Sequence, residues 1–248
     1  MERDQIEVPG EGLDRPGALI RYGHWGRPLL AFPSESGRAW DLENNGMIDA
    51  VAGLIDAGRV KVYAVDAFDH LSWSNNHLPT EERAQRHGIY ERWIHEHIVP
   101  LVNNDSPGHR GIVTTGVSMG AYHAVNFTLK RPDVFPVAVA LSGSYDPTAW
   151  HPWGEMGEAT YFNNPTAYVP GMEGDHLQWV RDHAQVLLVV GQGPFEVQPT
   201  RALPSTQHLG ALLAQKGIPS ETDVWGFDVA HDWPWWRVQL AHHLPRFL

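Results

Sequence analysis

The sequence predicts an α/β fold: a mostly parallel central sheet covered by helices on both faces. Three observations predict it. Short, nearly all-apolar runs rich in β-branched residues recur along the chain, as expected of strands with both faces covered. Amphipathic stretches at helical spacing alternate with those runs. The length, 248 residues, suits one domain of this class with a sizeable core.

The elements follow in order. Ile6–Val8 is a candidate first strand, followed by Ala18–Tyr22 and Pro28–Phe32. Met47–Ala57 has a helical pattern, and Val60–Val65 is an apolar strand. Glu82–Val102 predicts a long helix with Tyr90, Trp93, Ile94, His97, Ile98 and Leu101 along one stripe. Gly111–Thr115 predicts a strand. Met119–Lys130 predicts a helix closed by Lys130-Arg131-Pro132, a cationic last turn and a breaker. After the strand Val137–Leu141 the rhythm breaks. Residues 143–182 are rich in Gly, Pro and aromatics without a clear period, and are expected to form a lid-like insertion within a single domain spanning 1–248. The alternation then resumes with strand Val186–Val190, helix Thr200–Lys216 ending at Gly217, strand Glu221–Trp225 and helix Trp233–Leu248.

Composition excludes several function classes. Lys plus Arg number 18 against 29 Asp plus Glu, a formal net charge of −11. That balance repels phosphate backbones and anionic lipid surfaces, so neither nucleic acid nor a membrane is an expected partner. Without cysteine there is no disulfide, thiolate metal site or Cys nucleophile. No secretory leader or membrane-length apolar run is visible, and a cytoplasmic location is expected.

One motif carries chemistry. Gly116-Val117-Ser118-Met119-Gly120 has the form G-x-S-x-G, entered from an apolar strand and left by an Ala-containing helix. Strand, sharp turn and helix are the setting in which such a Ser becomes an exposed nucleophile. Its base should follow in the chain with an acid between them. His208, His242 and His243 fall in helical runs, whereas His231 lies in the loop between the last strand and the last helix. His231 is therefore the expected base. Two carboxylates compete as the acid: Glu196, past the penultimate strand, and Asp146, one strand earlier. Asp232 is expected to cap the last helix.

These segments resemble the α/β-hydrolases of the esterase D and antigen 85-like group of esterases. The resemblance is carried by Thr115-Gly116-Val117-Ser118-Met119-Gly120-Ala121, the turn Gly191–Glu196, and His231-Asp232-Trp233-Pro234-Trp235-Trp236-Arg237. It spans the chain from about Ala18 to the C-terminus. It implies a nucleophile, acid and base at Ser118, Glu196 and His231, because the acid of antigen 85-like members is a Glu. The sequence departs from the group where a His-Gly pair commonly follows the third strand; here Phe32-Pro33-Ser34-Glu35-Ser36-Gly37 stands there. The oxyanion donors are expected to be the backbone N–H of Met119 and one from Ser34, Glu35 or Ser36.

Other features are read against simpler roles. The loop holding Asp69-His70 and Ser72–Asn76 either lines the site or is polar surface. Trp40, Trp73, Trp150 and Trp233, with Trp153, fall in or beside such loops and are candidates for an acyl pocket or sugar platform. His95-Glu96-His97 lacks the spacing of a zinc-hydrolase pair, so no metal is expected. Gly191-Gln192-Gly193 is not a dinucleotide fingerprint, and no cofactor is expected. The sequence thus predicts a serine carboxylesterase acting on a small-molecule ester. The alternatives are acyl transfer of the antigen 85 type, or a non-catalytic interaction module that kept the fold.

Overall fold

The computed structural model describes residues 1–248. Eight strands form one sheet: β1 Arg3–Val8, β2 Gly17–Tyr22, β3 Arg27–Phe32, β4 Val60–Val65, β5 Val113–Val117, β6 Val137–Leu141, β7 Gln185–Val190 and β8 Ser220–Val224. Their order across the sheet is β1-β2-β4-β3-β5-β6-β7-β8. The first two strands pair antiparallel, β2 runs antiparallel to β4, and every later pair is parallel.

Alternate residues of the same strand feed cores on opposite faces. Leu187 and Val189 join the face covered by the short helices of residues 41–56, by Trp236 and Leu240 of the last helix and by Leu244 just after it. Val186 and Leu188 point the other way, against Val125 and Leu129 of helix Met119–Lys130 and Leu209 and Leu213 of helix Ala202–Gln215. Tyr90, Trp93 and Ile98 cover β3 and β4 on that second face. This two-sided burial explains the largely apolar runs of the central strands.

Several boundaries differ from the expectation. β5 runs Val113–Val117, two residues later than Gly111–Thr115, because Gly111 takes a left-handed turn (φ 74°) and cannot extend the strand. The predicted helix over 47–57 is broken at Val51 into Met47–Ala50 and Ala52–Asp56. The long helix begins at Thr80, opens into a wider π turn over Ile94–Ile98 and ends at Asp105. Trp233–His243 is α-helical, and Leu244–Phe247 tightens to a 3-10 turn. Within 143–182 the structure holds three helices that periodicity did not reveal: Glu158–Phe162, Pro165–Gly171 and Gly174–His183.

The parallel strands end along one edge. Pro33 follows β3, Asp66 and Asp69 follow β4, Ser118 follows β5, Ser142 follows β6, Gly191 to Glu196 follow β7, and His231 follows β8. Loops at this edge are where an open α/β sheet places its site.

Candidate active site

Ser118 sits in the turn between β5 and helix Met119–Lys130 with φ 56° and ψ −118°. A non-glycine residue takes such a conformation only where its surroundings hold it. The hold is close packing of backbone. A Cβ on Gly116 would lie 2.2 Å from the Gly120 carbonyl oxygen, and one on Gly120 would lie 2.2 Å from that of Pro33. The two motif glycines are therefore steric requirements. The Ser118 N–H donates to the Leu141 carbonyl of β6 at 2.9 Å, tying the turn to the neighbouring strand.

The Oγ of Ser118 lies 2.9 Å from Nε2 of His231. Nδ1 of the same ring lies 3.1 Å from Oε2 of Glu196. Glu196 is fully buried, and the His231 side chain is 9% exposed. The other carboxylate oxygen, Oε1, accepts from Ser142 Oγ at 2.6 Å and from the Gly191 amide at 3.2 Å. Ser142 Oγ in turn accepts from Trp236 Nε1 at 3.0 Å, and the Trp236 ring meets His231 edge-on, centroids 5.0 Å apart. Glu196 and the imidazole are thus fixed from both sides. Their two loops are also pressed together: a Cβ on Gly191 would lie 2.0 Å from the Val229 carbonyl oxygen, and one on Gly193 2.7 Å from the same atom.

Asp146 is engaged elsewhere. Its Oδ1 accepts from the Thr148 amide at 3.0 Å and from Asn164 Nδ2 at 2.8 Å, within the segment 143–182. Asp232 accepts from the Trp233 amide at 2.7 Å and caps the last helix.

The loop after β3 lies against the Ser118 turn through the Pro33–Gly120 contact. Met119 opens its helix, so its N–H has no partner within it. In the loop, the Ser36 amide donates to Asp69 Oδ2 at 2.9 Å. Ser36 is therefore corrected as an oxyanion donor, because its N–H is already spent. The amides of Ser34 and Glu35 carry no hydrogen bond within the chain.

Ser118 and Met119 open on a cleft of about 600 Å³ whose walls include Trp73, Trp150, Glu35 and Ser144. Of the predicted Trp residues, Trp73 and Trp150 line it, their rings edge-on at 5.7 Å. Trp40 and Trp233 do not. Trp40 stacks under the Arg38 guanidinium at 4.3 Å, and Trp233 packs against Trp236 at 5.1 Å, both on the opposite core. Trp153 is half exposed and donates from Nε1 to the Asn76 carbonyl at 3.1 Å.

Both cleft walls hang on Arg83, a residue without a sequence signal among its charged helix neighbours. It is fully buried and faces no carboxylate. Its guanidinium donates to the carbonyls of Trp73 (3.3 Å), Trp150 (2.8 Å) and His151 (2.9 Å) and to Thr80 Oγ1 (3.0 Å). Burial pulls its pKa below the usual arginine value. Next to it, Glu81 accepts the amides of Gly157, Ala159 and Thr160 and the Thr160 hydroxyl.

The model of the family described as "Putative esterase" matches residues 36–247. The chain belongs to that family. No curated protein matches this esterase-family chain. Among solved structures it is similar to one described as a ferulic acid esterase, with TM-score 0.74 and 17% identity over 99% of this chain and 96% of that one. FphF, a fluorophosphonate-binding serine hydrolase of Staphylococcus aureus, aligns with TM-score 0.69 and 14% identity over 99% and 97% of the two chains. MPT51 of Mycobacterium tuberculosis gives TM-score 0.69 and 12% identity over 99% and 97%. At these identities the likeness establishes the α/β-hydrolase fold, and the family match establishes the esterase relationship.

Proposed function

We propose that this chain is a serine carboxylesterase that cleaves small or medium carboxylic esters through an acyl-enzyme on Ser118. The observation that carries the reading is the unbroken line from Ser118 Oγ through His231 to a buried Glu196, at 2.9 and 3.1 Å, on a turn strained to expose the hydroxyl. A nucleophile, base and orienting acid held at hydrogen-bond distances are the requirements of acyl transfer through serine.

In this mechanism His231 Nε2 takes the Ser118 proton as Oγ attacks the ester carbonyl carbon. The amides of Met119 and of Ser34 or Glu35 receive the oxyanion. Collapse breaks the bond to the alcohol oxygen, which leaves with the proton from His231. Water then gives a proton to His231 and attacks the acyl carbonyl, and the acid departs as the proton returns to Ser118 Oγ. Trp73 and Trp150 offer an apolar wall, while Glu35 and Ser144 offer polar contacts. A cleft of about 600 Å³ admits a small to medium ester.

A fluorophosphonate should label one residue, Ser118, in the wild-type protein. Ser118→Ala should remove the label and lower kcat on p-nitrophenyl esters by about three to six powers of ten with little change in Tm. Labelling that survives in Ser118→Ala overturns the assignment. Product analysis with an added alcohol separates the two acyl chemistries, since hydrolysis yields the free acid and transfer yields a new ester.

A further inference from the structure

We infer that Asp69 is a positioning residue for the reaction: through Ser36 it sets the free amides of Ser34 and Glu35 against Ser118. The inference rests on the reading of Ser118 as the nucleophile.

Asp69 follows β4 in a one-turn 3-10 helix and is 1% exposed. Its oxygens face two different elements. Oδ2 accepts the Ser36 amide at 2.9 Å, and Oδ1 accepts from Nε2 of His123 at 2.8 Å. His123 lies one turn into the helix that begins at Met119. A single buried carboxylate therefore connects the helix carrying one proposed oxyanion donor to the loop carrying the other. The backbone carbonyl of Asp69 also accepts the amides of Ser72 and Ser74, at 2.9 and 2.8 Å, which fixes the segment holding Trp73.

The loop needs such a hold. Ser36 is left-handed at φ 53°, a conformation that residues with a Cβ enter only when something secures it. The far end of the loop is secured independently: Ala67 N–H donates to the Gly37 carbonyl at 3.0 Å, and Asp66 accepts the Ala39 amide at 2.8 Å. At the apex the turn is closed by the Gly37 amide donating to the Ser34 carbonyl at 2.9 Å, and the Ser36 bond ties that turn to the residues after β4. His123 is in turn braced by packing. It is fully buried, with the His87 ring stacked at 5.2 Å and the Tyr90 ring edge-on at 5.2 Å. Burial pushes the pKa of His87 well below the ordinary histidine value, so the neighbouring ring adds no competing charge.

The oxyanion exists only in the transition state and the tetrahedral intermediate. Misplacing its donor should therefore lower kcat and leave KM alone, a pattern that a merely loosened cleft would not give. The test compares wild type, Asp69→Ala and Asp69→Asn on p-nitrophenyl acetate, with inhibition by a trifluoromethyl ketone, whose adduct carries the same oxyanion. Asp69→Ala should lose about ten- to a hundredfold in kcat, keep KM within about threefold, and weaken ketone inhibition in proportion to kcat/KM. Asp69→Asn keeps an acceptor for the Ser36 amide and should recover most of the loss. Unchanged kcat in Asp69→Ala, or a loss expressed in KM alone, overturns the inference while leaving Ser118 in place. If Asp69→Ala does not fold, replacing Ser36 with its α-hydroxy acid analogue turns that amide into an ester and removes the same bond without fixing φ, at the exposed loop end. It should show the kcat pattern, and wild-type kcat there overturns the inference. A wild-type protein that neither turns over esters nor is labelled at Ser118 overturns the functional reading and this inference with it.

Discussion

Glu196 shows what one residue must have around it to orient an imidazole. Its carboxylate is fully buried, yet Ser142, Gly191 and His231 all meet it at hydrogen-bond distance. Glu196→Gln preserves the shape, removes the charge and presents an amide where Nδ1–H should find an acceptor. It should cut kcat by about two to four powers of ten, whereas Asp146→Asn, altered inside the insertion, should stay within about threefold. Steady-state kinetics on one ester decides between them, and a crippled Asp146→Asn beside a normal Glu196→Gln would move the acid one strand earlier. Ser142→Ala leaves both Glu196 Oε1 and Trp236 Nε1 short of a partner. An orphaned buried polar group costs about 1–3 kcal/mol, so Tm should fall together with kcat. That Ser118, His231 and Glu196 meet at one edge was legible because each stands just past a strand that the apolar pattern marks. Ser142 was not, because a Ser after a strand looks the same whether its hydroxyl serves a carboxylate or water. The bond between Trp236 and Ser142 joins positions 94 residues apart and leaves no local trace.

At the level of elements, the segment 143–182 is fastened by helix Thr80–Trp93. Thr80 and Trp153 exchange backbone and hydroxyl bonds, Arg83 holds the Trp150 and His151 carbonyls, and Glu81 caps Glu158–Phe162. Burial alone would raise the Glu81 pKa, but the Thr160 hydroxyl and the amides of Thr160, Ala159 and Gly157 outweigh it. Together they lower the value from the ordinary 4.5 to about 2. The folded pKa is depressed, so this stabilisation is present above about pH 4.5 and is lost as pH falls towards 2. Glu81→Gln should therefore melt the insertion earlier at neutral pH, read as faster amide exchange over 157–162, and the difference from wild type should shrink below pH 4. Arg83→Met removes the donors shared by both cleft walls. It should raise KM several-fold, about tenfold at most, with a smaller effect on kcat, since Arg83 touches the cleft walls and none of Ser118, His231 and Glu196. These attachments were hidden in the sequence. Thr80-Glu81-Glu82-Arg83 reads as a solvated first turn, and Glu158–Phe162 and Pro165–Gly171 are too short to show a period, the second also holding Pro165 and, at its end, a break at Pro170-Gly171. Tertiary bonds hold them where propensity does not.

Across the whole molecule, the central strands were legible because two covered faces demand mostly apolar residues, whereas their order across the sheet was not read from the sequence. The edges were harder to read. β1 and β8 are mostly exposed, and only the last residue of β1 is buried. The parallel arrangement brings residues 118, 196 and 231 to one edge without any of them being close in sequence, so the site's integrity depends on the register of β5, β7 and β8 together. Gly191→Ala tests that dependence directly. Its Cβ has no room beside Val229, so the two loops must part. The substitution should lower kcat by at least tenfold while the sheet's circular dichroism stays intact, and normal turnover would show that the loops can yield.

The same glycine contact has a bearing on how relatives of this chain could be recombined. Gly191 and Gly193 bring the loop bearing Glu196 within backbone reach of the loop bearing His231, and the His231 amide itself donates to the Pro194 carbonyl at 3.0 Å. The two segments, though more than 30 residues apart, behave as one cassette. A chimera that imports only the acid loop from a homologue inherits a surface shaped for another partner, whereas one that imports residues 191–200 and 226–232 together carries the fit with it. Libraries that shuffle this fold should therefore treat the pair as a single crossover unit, and by the same reasoning keep the Ser118 turn together with the loop after β3 against which Gly120 packs.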